Sequence, residues 1–237
     1  MIKPPVVAIY GASDSGKTEL VVNLVKDFVE EGLKICTVKH SPGEFSLDVE
    51  GKDTWRHREA GSRLTVLATE VETAFLVPEK MKLEEIGEIV DGFGDYDLVI
   101  AEGYKGAEVP KIAVGEIEPR CCTLRVYDGD FDALKEEIRE LLEVKEIEAK
   151  LPGLDCGRCG YDSCNGFSRA IYNGEKDLSH CEVREQRTVN LEVNGERVPL
   201  ENFPASFVEG GLKGMLGALK GVDEEIDRIS LEIWDDS

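Results

Sequence analysis

The sequence predicts an α/β fold: a mostly parallel sheet with helices on both faces, then a small cysteine-rich domain and a small α+β C-terminal region. Three observations lead there. Strand-like apolar runs alternate with helix-period segments from Met1 to about Val144, a glycine-containing turn joins the first strand to the first helix, and four of the seven cysteines fall between Cys156 and Cys181. Alternation of this kind implies parallel strands covered by helices.

Pro5-Val6-Val7-Ala8-Ile9-Tyr10 is an apolar run ending at Gly11, as a buried parallel strand would end. Between Lys17 and Glu31, Leu20, Leu24, Val25 and Phe28 recur at helical spacing, and Gly32 stops the helix. Leu33–Val38, Leu64–Ala68, Ala74–Val77, Leu98–Ala101 and Ile112–Val114 read as further strands, and Met81–Val90 and Phe131–Leu142 as helices. From about Lys150 to Arg187 the chain is rich in Gly and Cys, with a core too small to hold without a metal or another staple. Beyond it, Leu191–Val193 and Arg197–Leu200 flank Asn194-Gly195, a strong hairpin signal. A glycine-weakened helix over Pro204–Lys220 and a strand over Arg228–Trp234 follow. The expected domains are therefore residues 1–146, 150–187 and 188–237.

The 237-residue chain carries a net charge of −21, so a nucleic-acid backbone would be repelled by most of its surface. No apolar run approaches the ~20 residues that cross a bilayer. The N-terminus has no leader pattern, which makes the cytoplasm the expected compartment and metal ligation the expected use of clustered cysteines.

Strand, turn and helix meet at Gly11-Ala12-Ser13-Asp14-Ser15-Gly16-Lys17-Thr18. This is the geometry of a P-loop NTPase-type domain: backbone N–H groups and a helix N-terminus face phosphate, Lys17 neutralises it, and the Thr18 hydroxyl ligates Mg²⁺. A second acid for the metal belongs at the end of a neighbouring parallel strand. Asp97-Leu98-Val99-Ile100-Ala101-Glu102-Gly103 places Glu102 there, with Asp97 at the far end. Over Gly51–Arg63, Lys52, Arg56 and Arg63 fall within about 40° on a helical wheel of ~100° per residue. Three cations on one face of so acidic a chain suggest an anion site, to which Lys39 and His40 at the end of the second strand could add. A solvated face paired with Asp53 and Glu59 fits the pattern equally.

These motifs have a family resemblance. The loop Gly11–Thr18, Thr37-Val38-Lys39-His40, Gly51–Gly61, and Glu102-Gly103-Tyr104-Lys105 with Val109-Pro110-Lys111-Ile112 together resemble the molybdopterin-guanine dinucleotide biosynthesis protein B (MobB) family. That resemblance covers about the first 145 residues. It implies a GTP-binding protein with weak GTPase activity, homodimeric, assisting a MobA-like guanylyltransferase that acts on molybdenum cofactor. It also implies that Lys39, His40, Lys52 and Arg56 line an anionic cofactor or nucleotide pocket. No Asn-Lys-x-Asp motif is present to read guanine.

The second constellation is Cys156-x2-Cys159-x4-Cys164-x16-Cys181. Three close thiolates and a distant fourth suit a [4Fe–4S] cubane, with Gly157 and Gly160 letting backbone approach the sulfurs. Four thiolates also make a tetrahedral Zn²⁺ site, although a second short Cys-x-x-Cys knuckle is absent. Leu151–Cys164 resembles the small iron–sulfur domain of corrinoid iron–sulfur proteins and Rnf-type electron-transport subunits, which implies a [4Fe–4S] cluster on those four cysteines. His180 reads as a surface residue, Cys36 as a buried strand residue, and Cys121 and Cys122 receive no role. The leading functional expectation is a GTP-dependent accessory factor in molybdenum or tungsten cofactor maturation. The alternative is an electron-transfer or redox-sensing protein gated by its nucleotide domain.

Overall fold

The computed structural model describes residues 4–43, 45–183, 189, 191–193, 196–198, 200, 202–217, 219, 229 and 231. The chain divides into two compact units, Met1–Ile138 and Arg139–Ser237.

The first unit is built on a five-stranded parallel sheet. Its strands are β1 (Val6–Gly11), β2 (Ile35–Lys39), β5 (Leu98–Glu102), β6 (Lys111–Val114) and β7 (Thr123–Tyr127), in the order β2-β5-β1-β6-β7. The three central strands are buried almost throughout, from Val7 to Tyr10, Leu98 to Ala101 and Lys111 to Val114. Sheets covered on both faces need such continuous apolar runs, and that is why these segments lack alternation. Helix α1 (Lys17–Glu30) turns Leu20, Val21, Leu24 and Phe28 inward, a spacing that keeps them on one stripe. Helix α3 (Leu83–Phe93) leads into β5, and helix α4 (Phe131–Ala149) follows β7, its residues divided between the two units at Ile138.

Three features depart from the sequence expectation. The segments at 64–68 and 74–77 do form strands, β3 (Thr65–Ala68) and β4 (Thr73–Leu76), but they pair only with each other, as an antiparallel ribbon outside the main sheet. β7 was not marked by an apolar run. It is an edge strand whose Thr123, Arg125 and Tyr127 are half-buried while Leu124 and Val126 are exposed. The basic segment makes only a seven-residue helix, α2 (Asp53–Glu59), because Gly51 and Gly61 take positive φ on either side. Lys52 is therefore its extended N-cap, and Arg63 lies beyond its end, so the shared helical face is not realised.

In the second unit, Leu151, Cys164, Phe167, Cys181 and Val183 form a small core. Ser163 caps α5 (Cys164–Tyr172) by accepting a hydrogen bond from Gly166 N at 3.0 Å. Strands β8 (Leu191–Val193) and β9 (Glu196–Val198) pair as an antiparallel hairpin, and α6 (Asn202–Gly217) follows. The Asn194-Gly195 turn, and the strand expected over 228–234 apart from positions 229 and 231, lie outside the described residues. Among the described residues no helix is long and apolar enough to cross a membrane.

Candidate functional site

The loop between β1 and α1 is shaped by two backbone constraints. Gly11 lies against β6, where a Cβ would stand 2.3 Å from Val114 O and 2.7 Å from Ser15 Oγ, so only glycine fits. Asp14 and Gly16 then take φ of +57° and +85°, and the helix opens at Lys17. Successive turns of this kind gather N–H groups into an anion-binding concavity at a helix N-terminus. Lys17 Nζ reaches back over the loop, donating to Ala12 O and lying 3.4 Å from Ser15 Oγ.

Parallel register brings the other groups to the same edge. Ile9 of β1 and Lys39 of β2 both stand opposite Glu102 of β5. Glu102 Oε1 accepts a hydrogen bond from Thr18 Oγ1 at 2.9 Å and pairs with Lys39 Nζ at 3.1 Å. Its side chain is 12% exposed, whereas that of Lys39 is 60% exposed. The Thr18 hydroxyl and the Glu102 carboxylate are both hard oxygen donors brought together at this edge, the donor type that would suit Mg²⁺.

His40 continues from β2, donating its N–H to Glu102 O at 2.9 Å, with its ring 5.1 Å from that of Tyr104. Gly103, at φ +98°, permits this approach, since a Cβ would meet His40 Cβ at 3.1 Å. Burial pushes the Tyr104 hydroxyl above its ordinary value. Asp97 is at the opposite end of β5, accepting from Lys34 N at 2.7 Å, and takes no part in the site.

Lys52 and Arg56 are exposed, and Arg56 lies 3.9 Å from Asp53. None of the contacts described for them reaches the loop. The inward-facing cation of this region is instead Arg58, which donates to Ser46 Oγ at 3.0 Å and pairs with Asp48 at 3.4 Å. Asp48 also accepts from Thr54 Oγ1 at 2.7 Å. Helical position alone did not separate Arg58 from its neighbours, because its partners come from the preceding loop.

All four predicted cysteines of the second unit line one pocket, together with Asp155, Gly157, Tyr161 and Phe167. Cys164 and Cys181 are buried, Cys159 is half-buried and Cys156 is exposed. The segment turns sharply at Asp155, Gly157 and Gly160, with φ of +45°, +70° and +86°. Asp155 Oδ1 accepts from Cys164 N at 2.6 Å, tying the first part of the motif to the start of α5. A soft, all-sulfur donor set around a largely apolar pocket suits an iron–sulfur cluster. Among the described residues no three Cys, His, Asp or Glu side chains are grouped as ligands of a single ion. His180 points elsewhere: it is half-exposed, and its Nδ1 lies 3.3 Å from Asp177 Oδ2. Cys36 is half-buried on β2, and burial pushes its thiol up.

A parallel sheet, a strand–loop–helix phosphate cradle and a carboxylate on the adjacent strand define an α/β protein of P-loop NTPase type with an appended four-cysteine region. The family model "Molybdopterin guanine dinucleotide synthesis protein B" matches residues 6–122, and one described as "Putative Fe-S cluster" matches residues 151–183. A protein of Methanocaldococcus jannaschii, described as "Putative molybdopterin-guanine dinucleotide biosynthesis adapter protein", is 32% identical over 230 residues, covering 92% of this chain and 93% of that one. The chain therefore belongs to the molybdopterin-guanine dinucleotide biosynthesis protein B family. The crystal structure of Bacillus subtilis MobB is 27% identical, covers 48% of this chain and 69% of its own, and has a TM-score of 0.42. Over 46 residues, the chain is 46% identical to a component of the ion-translocating oxidoreductase complex of a Shewanella species, covering 19% of this chain and 24% of that one.

Proposed function

We propose that this chain binds GTP with Mg²⁺, hydrolyses it slowly, and assists a guanylyltransferase in molybdenum or tungsten cofactor maturation as a homodimer, while carrying a [4Fe–4S] cluster. The observation that carries the nucleotide half is the Thr18 hydroxyl 2.9 Å from the Glu102 carboxylate at the mouth of the Gly11–Thr18 loop. In this reading the loop N–H groups hold the β- and γ-phosphate oxygens, and Lys17 leaves Ala12 O to neutralise them. Thr18 and Glu102 would hold Mg²⁺, which would supply Lewis-acid charge at the phosphates. Lys39, now paired with Glu102, would with His40, Lys52 and Arg56 serve a second anion. No arginine finger is assigned, so a partner supplies that charge and turnover in isolation is slow.

Cys156, Cys159, Cys164 and Cys181 would hold the cluster, which supplies one-electron redox capacity and a covalent staple for the small core. The proposed division is a nucleotide domain over 1–146, a cluster domain over 150–187 and a C-terminal region over 188–237.

Anaerobic purification of the full chain tests both halves. Calorimetry is expected to show Mg²⁺-dependent GTP binding that Lys17→Ala abolishes, and iron and acid-labile sulfide are expected at four each per chain. Equal binding of ATP and GTP, or zinc without sulfide, would refute the corresponding half. A second reading, electron transfer or redox sensing, is favoured by the exposure of Cys156 at the pocket. GTP affinity that changes with cluster oxidation state would support it.

A further inference from the structure

Cys121 and Cys122 are adjacent thiols used by neither the phosphate loop nor the four-cysteine region. Both are exposed. The turn carrying them is anchored on both sides by Tyr10, whose Oη accepts from Arg120 N at 2.9 Å and lies 2.8 Å from Thr123 Oγ1. Cys122 takes φ +63°, and its carbonyl accepts from Lys111 N at 2.9 Å.

Lys111 is the unusual neighbour. It is fully buried in β6, and its Nζ donates to Ala107 O at 2.6 Å and Lys105 O at 3.3 Å, with Cys121 Sγ at 3.9 Å. Those contacts give a buried ammonium two neutral carbonyls and one sulfur, so a Cys121 thiolate would balance a charge that is costly to leave uncompensated. The partner thiol differs. Hydrogen bonding to Cys121, then desolvation, pushes the Cys122 thiol up; Glu108 acts in the same direction and Lys111 against it. The Lys111 ammonium thus stands beside the Cys121 sulfur, the one of the pair to which it donates among the described contacts.

We propose that Cys121 and Cys122 form a thiol–disulfide exchange site for low-molecular-weight disulfides, with Cys121 attacking, Cys122 resolving and Lys111 holding the Cys121 thiolate. Cys121 Sγ bonds to one sulfur of the external disulfide, whose S–S bond breaks and releases a first thiolate. Cys122 then loses its proton and attacks Cys121 Sγ, expelling the second thiolate and closing an intramolecular bridge. Two electrons pass from the pair to the external disulfide; the Cys122 proton ends on one departing thiolate, and the other takes its proton from solvent. Adjacent Cα atoms lie ~3.8 Å apart, short of the ~4.4–6.8 Å that disulfides ordinarily span, so the bridge is strained and readily reduced. That marks an exchange site rather than a structural staple.

The test treats the anaerobically purified full chain with glutathione disulfide, quenches with N-ethylmaleimide and maps peptides by mass. The peptide carrying both cysteines is expected to lose two hydrogens, take up no maleimide and recover on dithiothreitol. In Cys122→Ser a glutathione adduct accumulates on Cys121, and in Cys121→Ser adduct formation on Cys122 is slower by about tenfold or more. Lys111→Met in the Cys122→Ser background slows capture by Cys121 by a similar factor; if that buried substitution prevents folding, the two cysteine variants decide alone. Two maleimides on the wild-type peptide after glutathione disulfide treatment, or equal adduct rates in the two single variants, overturn the proposal.

Discussion

Gly11→Ala probes how the sheet positions the phosphate loop. The new methyl group would lie 2.3 Å from Val114 O, and ordinary contact begins at 3.4 Å, so the two must separate by about 1.1 Å. Val114 O cannot swing aside as a side chain would, because Gly11 and Val114 are register partners in the β1–β6 ladder. Overpacking against rigid neighbours costs about 1–3 kcal/mol. Expressed as amide exchange, that is roughly a five- to 150-fold loss of protection in β1 and β6. A shift near 1 Å also misplaces the loop, and GTP affinity should fall at least about tenfold. Gly16→Ala is the control: its φ is +85°, but nothing lies within 4 Å of the added Cβ. Its cost is conformational, about 1–2 kcal/mol, and should appear at the start of α1 and not in the β1–β6 ladder. Peptide-resolved hydrogen exchange on the full chain separates the two. Unchanged protection of β1 and β6 in Gly11→Ala, with GTP binding intact, would show the steric argument to be wrong.

Further outcomes follow from the same geometry. Glu102→Gln keeps an acceptor for the Thr18 hydroxyl but removes the charge, so the Mg²⁺ concentration supporting half-maximal GTP binding should rise about tenfold; Asp97→Asn, at the far end of β5, should leave it unchanged. Stripping metal with an anaerobic chelator should raise amide exchange across 151–183, because Cys164 and Cys181 belong to that unit's core, while exchange in β1, β5 and β6 stays the same. The Asp128 carboxylate is held below its ordinary value, first by the Asp130 N–H and then by Arg125, so its contribution to stability is complete above the unfolded pKa of about 3.9 and is lost as pH falls through the lower folded value. Asp128→Asn should therefore reduce stability at neutral pH and flatten the acid limb of the stability profile, read by thermal unfolding from pH 2 to 7.

The local backbone shape of both motif regions was legible in the sequence. Gly11–Thr18 joins strand to helix without interruption, and its turns are backbone conformations that a few adjacent residues determine. The four cysteines could be assigned to one site for a related reason, since glycines and a short helix bend the chain back on itself over about thirty residues. β1, β5 and β6 were legible because strands buried on both faces are apolar along most of their length, with buried Lys111 of β6 the exception. The structure alone decided how these pieces meet. That Glu102 and not another acid serves Thr18 and Lys39 depends on β5 lying between β2 and β1 in a particular register, and nothing local to Leu98–Glu102 specifies its neighbours. The same limit explains why β3 and β4 were expected in the main sheet but pair as a separate ribbon, and why β7, half-exposed at the edge, went unmarked. It also hid the meeting of Lys111 with Cys121. Periodicity in a sequence records which faces avoid water, whereas partner and register are chosen by packing and hydrogen bonding between segments far apart in the chain.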